Sequence, residues 1–132
     1  MKNNRKKRTG YLIAKDVILE PHELATINIL LAEGYNVELL KRSRTPRVKS
    51  ADIFMLKLVW EMKSPNGKDI RAIERCLRRA IHQSQNVIMD LRRTRVPDCK
   101  AIAILEKMFT RLRSIRNLWV ITKDQDIKKY RK

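Results

Sequence analysis

Asp52, Glu61 and Lys63 are the residues whose types and spacing could do chemistry. They lie in the stretch ADIFMLKLVWEMK, residues 51–63. From Ile53 to Trp60 this stretch is rich in apolar and β-branched residues, which favours strand. Two short strands joined at Leu56-Lys57 form an antiparallel hairpin in which Asp52 sits opposite Glu61, with Cβ atoms ~5 Å apart. Lys63 shares the face of Glu61, while Trp60 and Met62 point to the other. Facing carboxylates repel unless something positive lies between them. A hard divalent cation meets that need, because Mg²⁺ takes one or two carboxylates plus water and phosphate. With an ammonium beside it, the arrangement outlines a metal-assisted phosphodiester hydrolase. The opposing reading makes Glu61 and Lys63 solvent-facing charges on a half-polar strand. An E-x-K triplet alone is a weak pattern, and it is the aspartate in register that tips the balance.

The elements that must position these residues follow from the periodicity. Pro21 precedes a helix in which Leu24, Ile27, Leu30 and Leu31 recur at helical spacing, with Gly34 as its stop. Glu20 and Glu23 stand at its start, where carboxylates suit the macrodipole. Residues 36–40 (NVELL) read as a strand, followed by the basic loop KRSRTPRVKS. Its Arg42, Arg44, Arg47 and Lys49 either hold a phosphate backbone or form a solvated surface. After the hairpin, SPNG is a turn, and Asp69 caps a helix whose apolar face is Ile70, Ile73, Leu77 and Ala80 or Ile81. On that helix Arg75, Arg79 and Gln83 recur every four residues as one stripe. The stripe either points into the cleft beside the metal or solubilises the surface. Residues 86–91 (NVIMDL) are a strand that runs into Arg92, Arg93 and Arg95. Pro97 and Asp98 open the last long helix, with Ile102, Leu105, Phe109 and Leu112 as its stripe. A final strand, 118–122, places Trp119 in the core. The expected organisation is a basic disordered arm over 1–10, one domain over 11–122 and a basic tail over 123–132. Helix, three strands, helix, strand, helix, strand argues an α/β sandwich with a right-handed crossover after Lys63.

The 132 residues suffice for one domain with a real core. The net charge of +17 implies a polyanionic partner, with nucleic acid before an anionic membrane surface. No stretch has the ~20 apolar residues of a membrane span. Cys76 and Cys99 read as free thiols of a reducing compartment. With only His22 and His82 besides, spacing assembles no zinc cluster. An aromatic content of 5% argues against base stacking as the main readout, so shape and backbone dominate recognition.

With these residues in view, the chain resembles the PD-(D/E)XK nuclease superfamily. That resemblance implies an αβββαβ restriction-endonuclease-like core, here with an additional C-terminal helix and strand. Asp52 takes the aspartate position and Glu61-Met62-Lys63 the E-x-K position. A narrower likeness covers roughly residues 20–93. The aspartate strand, the W-E-x-K-S-P turn, a helix ending Gln-Ser and the N-V-I-x-D-L strand resemble the C-terminal tRNA-nuclease domains of contact-dependent growth inhibition toxins. Members of that group often carry Gly at the hairpin turn, where this chain has Leu56-Lys57. The resemblance implies that Ser64, Gln83 and the basic helix residues Arg75 and Arg79 lie near the substrate. It also implies that Glu23 is a helix-borne acid assisting the metal site.

The expectation that results is a Mg²⁺- or Mn²⁺-dependent endonuclease. Asp52, Glu61 and the Met62 carbonyl hold the ion, and Lys63 orients the water. RNA, and tRNA in particular, is favoured over DNA on the resemblance alone. The resemblance further implies an immunity or inhibitor protein as partner, a cytoplasmic site of action and the option of secretion as a toxin module. DNA cleavage by the same fold is the alternative within the enzyme class. A non-catalytic nucleic-acid-binding accessory protein is the rival from another class.

Overall fold

A computed structural model describes residues 8–14, 16–41 and 52–132. In chain order the elements are β1 (Leu12–Ile13), α1 (Pro21–Ala32), β2 (Val37–Leu39), β3 (Ile53–Met55), β4 (Leu58–Lys63), α2 (Ile70–Ala80), β5 (Asn86–Asp90), α3 (Asp98–Arg111), β6 (Asn117–Ile121) and β7 (Ile127–Arg131). The seven strands form one sheet in sequential order, β1 to β7. β2, β3 and β4 are antiparallel neighbours, whereas β4, β5 and β6 run parallel. Parallel neighbours need a crossover, and α2 and α3 supply the two that join β4 to β5 and β5 to β6.

Alternation along the central strands divides the core into two layers. Val87 and Met89 of β5, with Leu118 and Val120 of β6, pack with Ile73, Leu77 and Ala80 of α2 and with Ala101, Leu105 and Met108 of α3. Ile88, Trp119 and Ile121 point the other way and meet Ile27 and Leu30 of α1, Ile53 and Met55 of β3, and Trp60 and Met62 of β4. The sheet is therefore covered by α1 on one face and by α2 and α3 on the other. Both faces of β5 are buried throughout, as a central parallel strand requires. Trp60 is enclosed, donating Nε1–H to the Met55 carbonyl at 2.9 Å, and its ring lies 4.9 Å from that of Trp119.

Three expectations shift. α1 is rotated from its expected phase: Leu24 is 42% exposed, while Glu23 and Thr26 are buried. Periodicity locates a helix but not the partners that let polar residues face inward. Gly34 does end this helix, at φ 95°, with Gly34 N–H on the Leu31 carbonyl and Tyr35 N–H on that of Leu30. The stretch expected as a basic tail contains β7, paired antiparallel along the whole of β6. Its lysines had masked a strand: Lys129 lays its ammonium over the Trp119 ring at 4.6 Å, and Tyr130 packs against Phe109. Of the arm expected over 1–10, residues 1–7 lie outside the described residues. Gly10 is packed: its N–H donates to Leu31 at 2.7 Å, and a Cβ there would lie 1.7 Å from the Tyr35 carbonyl oxygen.

The β3–β4 hairpin turns at Leu56-Lys57, as expected. Both residues are left-handed, at φ 55° and 62°, the geometry of a two-residue type I′ turn. Neither residue type suits that region, which costs a non-glycine residue roughly 1–2 kcal/mol. Replacing the pair with Asn-Gly is expected to stabilise the protein by about 1–2 kcal/mol. The gain would be read as a higher urea midpoint at an unchanged m-value. A lower midpoint would refute this account of the turn.

Candidate active site

The β3–β4 ladder pairs Met55 with Leu58, Phe54 with Val59 and Ile53 with Trp60. Carried one step further, this register would set Asp52 against Glu61. Instead, the Asp52 N–H donates to the carbonyl of Trp60 at 2.9 Å. Asp52 and Ile53 thus stand together against one residue, as in a β-bulge, the device that ends pairing and re-aims a side chain. The side chain is re-aimed onto the next stretch of β4. Asp52 Oδ2 accepts from the Met62 N–H at 3.0 Å. The expected direct facing is corrected to a diagonal one: the Asp52 carboxylate is fixed against the residue between Glu61 and Lys63.

Glu61 is 5% exposed, and its Oε2 lies 3.9 Å from Lys63 Nζ. Both residues sit on the face covered by α2 and α3, since Glu61 pairs with Val87 and Lys63 with Met89. From α2, Cys76 reaches the same neighbourhood. Burial raises the pKa of the Cys76 thiol; Lys63 and Arg79 pull it back and Glu61 raises it further. Arg79 is near enough to that thiol to act on its charge, and both Arg79 and Arg75 are exposed on α2. The chain leaving α2 is pinned back to β4, with Ser84 Oγ donating to the Val59 carbonyl at 2.8 Å and Asn86 Nδ2 to the same oxygen at 3.1 Å. Gln83 precedes this anchor, with its Oε1 enclosed and lacking a hydrogen-bond partner among the described residues.

Cys76 carries a prediction. Its folded pKa lies above the ordinary 9.0, so the unfolded thiol ionises first as pH rises. Stability is therefore complete below about pH 9 and falls from there up through the raised folded value. Cys76→Ala should remove that component of alkaline loss, measured as urea midpoints across the pH range. Near neutral pH a thiol reagent should modify the exposed Cys99 well before Cys76. Equal rates at both would contradict the burial.

The opposite face carries a second polar cluster that sequence reasoning missed. Asp90, 2% exposed at the end of β5, accepts from Thr26 Oγ1 at 2.6 Å and from the Arg92 guanidinium at 2.8–3.3 Å. The hydrogen bond to Asp90 raises the Arg92 pKa and fixes its charge. Thr26 Oγ1 also lies 3.4 Å from Ser64 Oγ. Ser64 thus faces α1, on the side of the sheet away from Lys63. Glu23 precedes Thr26 by one helical turn and closes a capping box, with the Glu20 N–H on its Oε1 at 3.0 Å. The Thr26–Asp90–Ser64 contacts hold its end of α1 over the ends of β4 and β5. The one available sequence signal was the Asp90-x-Arg92 spacing; its partner Thr26 is 64 residues away. Arg42, Arg44, Arg47 and Lys49 lie outside the described residues.

Among the described residues no group of three or more His, Cys, Asp and Glu side chains could hold a metal. By their chemistry, the carboxylates of Asp52 and Glu61 and the main-chain carbonyl of Met62 would suit a hard cation that keeps several waters and would not suit a structural zinc. Among the described residues no helix is long and apolar enough to cross a membrane.

Residues 49–127 match the family described as the contact-dependent growth inhibition CdiA C-terminal domain. The fold is similar to that of a solved structure described as a CdiA-CT/CdiI toxin and immunity complex from Burkholderia pseudomallei, at a TM-score of 0.72. That likeness covers 93% of this chain and 100% of the other at 17% identity. The search of curated proteins found no match.

Proposed function

The chain belongs to the contact-dependent growth inhibition CdiA C-terminal domain family, and on that premise we propose that it is a toxin domain acting as a metal-dependent endonuclease of the PD-(D/E)XK type. The observation that carries this reading is the Asp52 carboxylate held 3.0 Å from the N–H of Met62, between Glu61 and Lys63. Asp52, Glu61 and the Met62 carbonyl would hold Mg²⁺ or Mn²⁺. When bound, such an ion supplies Lewis-acid charge at the scissile phosphate. Lys63, with its side chain 32% exposed, presents an ammonium to an incoming phosphate while staying beside Glu61. Arg79 adds positive charge from α2, where a phosphate gains negative charge during displacement. Asp52 is pre-positioned by the Met62 N–H, so the order required for catalysis exists before substrate arrives.

RNA, and tRNA in particular, is the proposed substrate, supported by the W-E-x-K-S-P and N-V-I-x-D-L resemblance. The cytoplasm is the proposed site of action, because that substrate is found there. An immunity protein is the proposed partner, by analogy with the toxin and immunity complex that shares the fold. The test is incubation of purified protein with total RNA and with plasmid DNA, in Mg²⁺, in Mn²⁺ and in chelator. RNA fragments that require the ion are expected. Cleavage of plasmid alone would move the substrate to DNA, and cleavage of neither would favour a non-catalytic nucleic-acid-binding protein.

A further inference from the structure

A groove of about 630 Å³ runs between the start of α2 and the outer face of α3, and none of the residues assigned to the reaction lines it. Its floor is apolar, formed by Ile70, Val96 and Ile104. Its rim carries four cations, Lys68, Arg95, Lys100 and Lys107, all exposed. The acid among its lining residues, Asp69, is engaged as the cap of α2, accepting from the Arg71 N–H at 2.9 Å. None of the four cations pairs with a carboxylate among the described residues, where the ion pairs include Lys63–Glu61, Arg92–Asp90 and Lys123–Asp98.

The groove is built onto the end of the candidate site. Arg93 Nη1 donates to the Ser64 carbonyl at 3.3 Å, and Arg95 N–H donates to the Gly67 carbonyl at 2.6 Å. Thr94 Oγ1 donates to that same Gly67 oxygen at 3.1 Å, and Gly67 and Thr94 form a parallel bridge. The loops leaving β4 and β5 are thereby stitched into one wall, which begins at Ser64, next to Lys63, and ends at the groove. Ligands of open parallel sheets bind outside the carboxyl ends of the strands, where this wall stands.

We propose that this groove binds a single-stranded segment of the nucleic-acid substrate adjoining the phosphate to be cut. The inference rests on the nuclease reading for its direction and on its own geometry for its chemistry. Lys100 and Lys107 lie two turns apart on α3, about 10 Å along the axis. That is the length of about three stacked nucleotides at about 3.4 Å each. Charges at both ends with an apolar floor between them match a strand whose phosphates follow the rim and whose bases lie against Ile70 and Ile104. A duplex turns its base faces inward and has no use for such a floor. In place of aromatic rings, the Arg95 guanidinium offers a plane on which a base can stack.

The experiment is equilibrium binding of a fluorescein-labelled single-stranded oligonucleotide in chelator, over a range of salt. The parent is compared with K100E/K107E and with a charge-matched control, K128E/R131E, on the exposed part of β7. The groove variant should bind at least tenfold more weakly, with a log–log salt slope shallower by about 1.4, since each phosphate contact contributes about 0.7 on single strands. The control should keep the parental slope. Equal losses in the two variants would reduce the effect to net charge and overturn the inference. Parental binding by the groove variant would also overturn it. Because binding is read without the ion, a parent that binds through the groove yet never cleaves would sink the nuclease reading alone.

Discussion

Glu61→Gln and Asp52→Asn are each expected to lower nucleic-acid cleavage by two orders of magnitude or more while leaving binding intact. Each substitution keeps the shape of the side chain and removes one negative charge from the ligand set proposed for the ion. Losing one pre-organised electrostatic partner typically costs ~10²–10³ in rate. With Asp52→Asn the side chain still offers an amide oxygen to the Met62 N–H, so the bulge that aims it should persist. Glu61→Gln keeps the shape of a side chain that is 5% exposed and still offers an oxygen to its neighbours, so the melting temperature should hold. Affinity for RNA should hold or increase, because both changes make the proposed substrate cleft more positive. Cleavage, binding and melting are to be measured on the same preparations. Retained cleavage in both variants would remove these carboxylates from the reaction. Loss of cleavage accompanied by loss of melting temperature would mean a structural role instead.

Asp90→Ala should be among the most destabilising single changes in the protein, by about 3–5 kcal/mol. Removing one partner of a buried ion pair leaves the other charge uncompensated, and that is the cost it carries. Here the loss is compounded. The Arg92 guanidinium gives up its acceptors on both carboxylate oxygens, and the Thr26 hydroxyl gives up a 2.6 Å bond. These contacts tie α1 to the end of β5, and through Ser64 to the residue after Lys63. Thr26→Val, which leaves the ion pair in place, should cost about 1.5–3 kcal/mol. In a double-mutant cycle, Asp90→Ala with Arg92→Ala should be less destabilised than the sum of the two. Urea denaturation of the parent and these variants measures all of this. An additive cycle would show that the pair contributes nothing beyond its separate members.

Much of the fold was legible because its signals are local. Alternating and β-branched residues marked β3 and β4, and the turn at Leu56-Lys57 followed from where the two runs meet. Asp69, as a capping residue, located the start of α2, and Gly34 located the end of α1. Trp119, flanked by apolar residues in β6, belonged in the core. Two elements were misread for one shared reason. The lysines and arginines of β7 look solvated in sequence, and Leu24 looks buried. Yet what a long cationic or apolar side chain touches depends on neighbours that local pattern does not contain. Lys129 fits a strand because the Tyr35 and Trp119 rings lie beneath its ammonium.

The sequence by itself determined the chemistry on offer: two carboxylates, an ammonium two residues on, and an excess of positive charge that calls for a polyanion. It also determined the hairpin register that brings Asp52 to the level of Glu61. Tertiary structure decided the rest. The bulge at Asp52 converts a facing pair into a carboxylate aimed at Met62, because one hydrogen bond to Trp60 replaces the next rung of the ladder. The burial of Thr26 and Asp90 against each other, and the groove between α2 and α3, arise only when distant segments meet across a sheet. Short-range periodicity reports which residues share a face. It cannot report which residues from elsewhere in the chain will meet that face, and those meetings fix the geometry of the site.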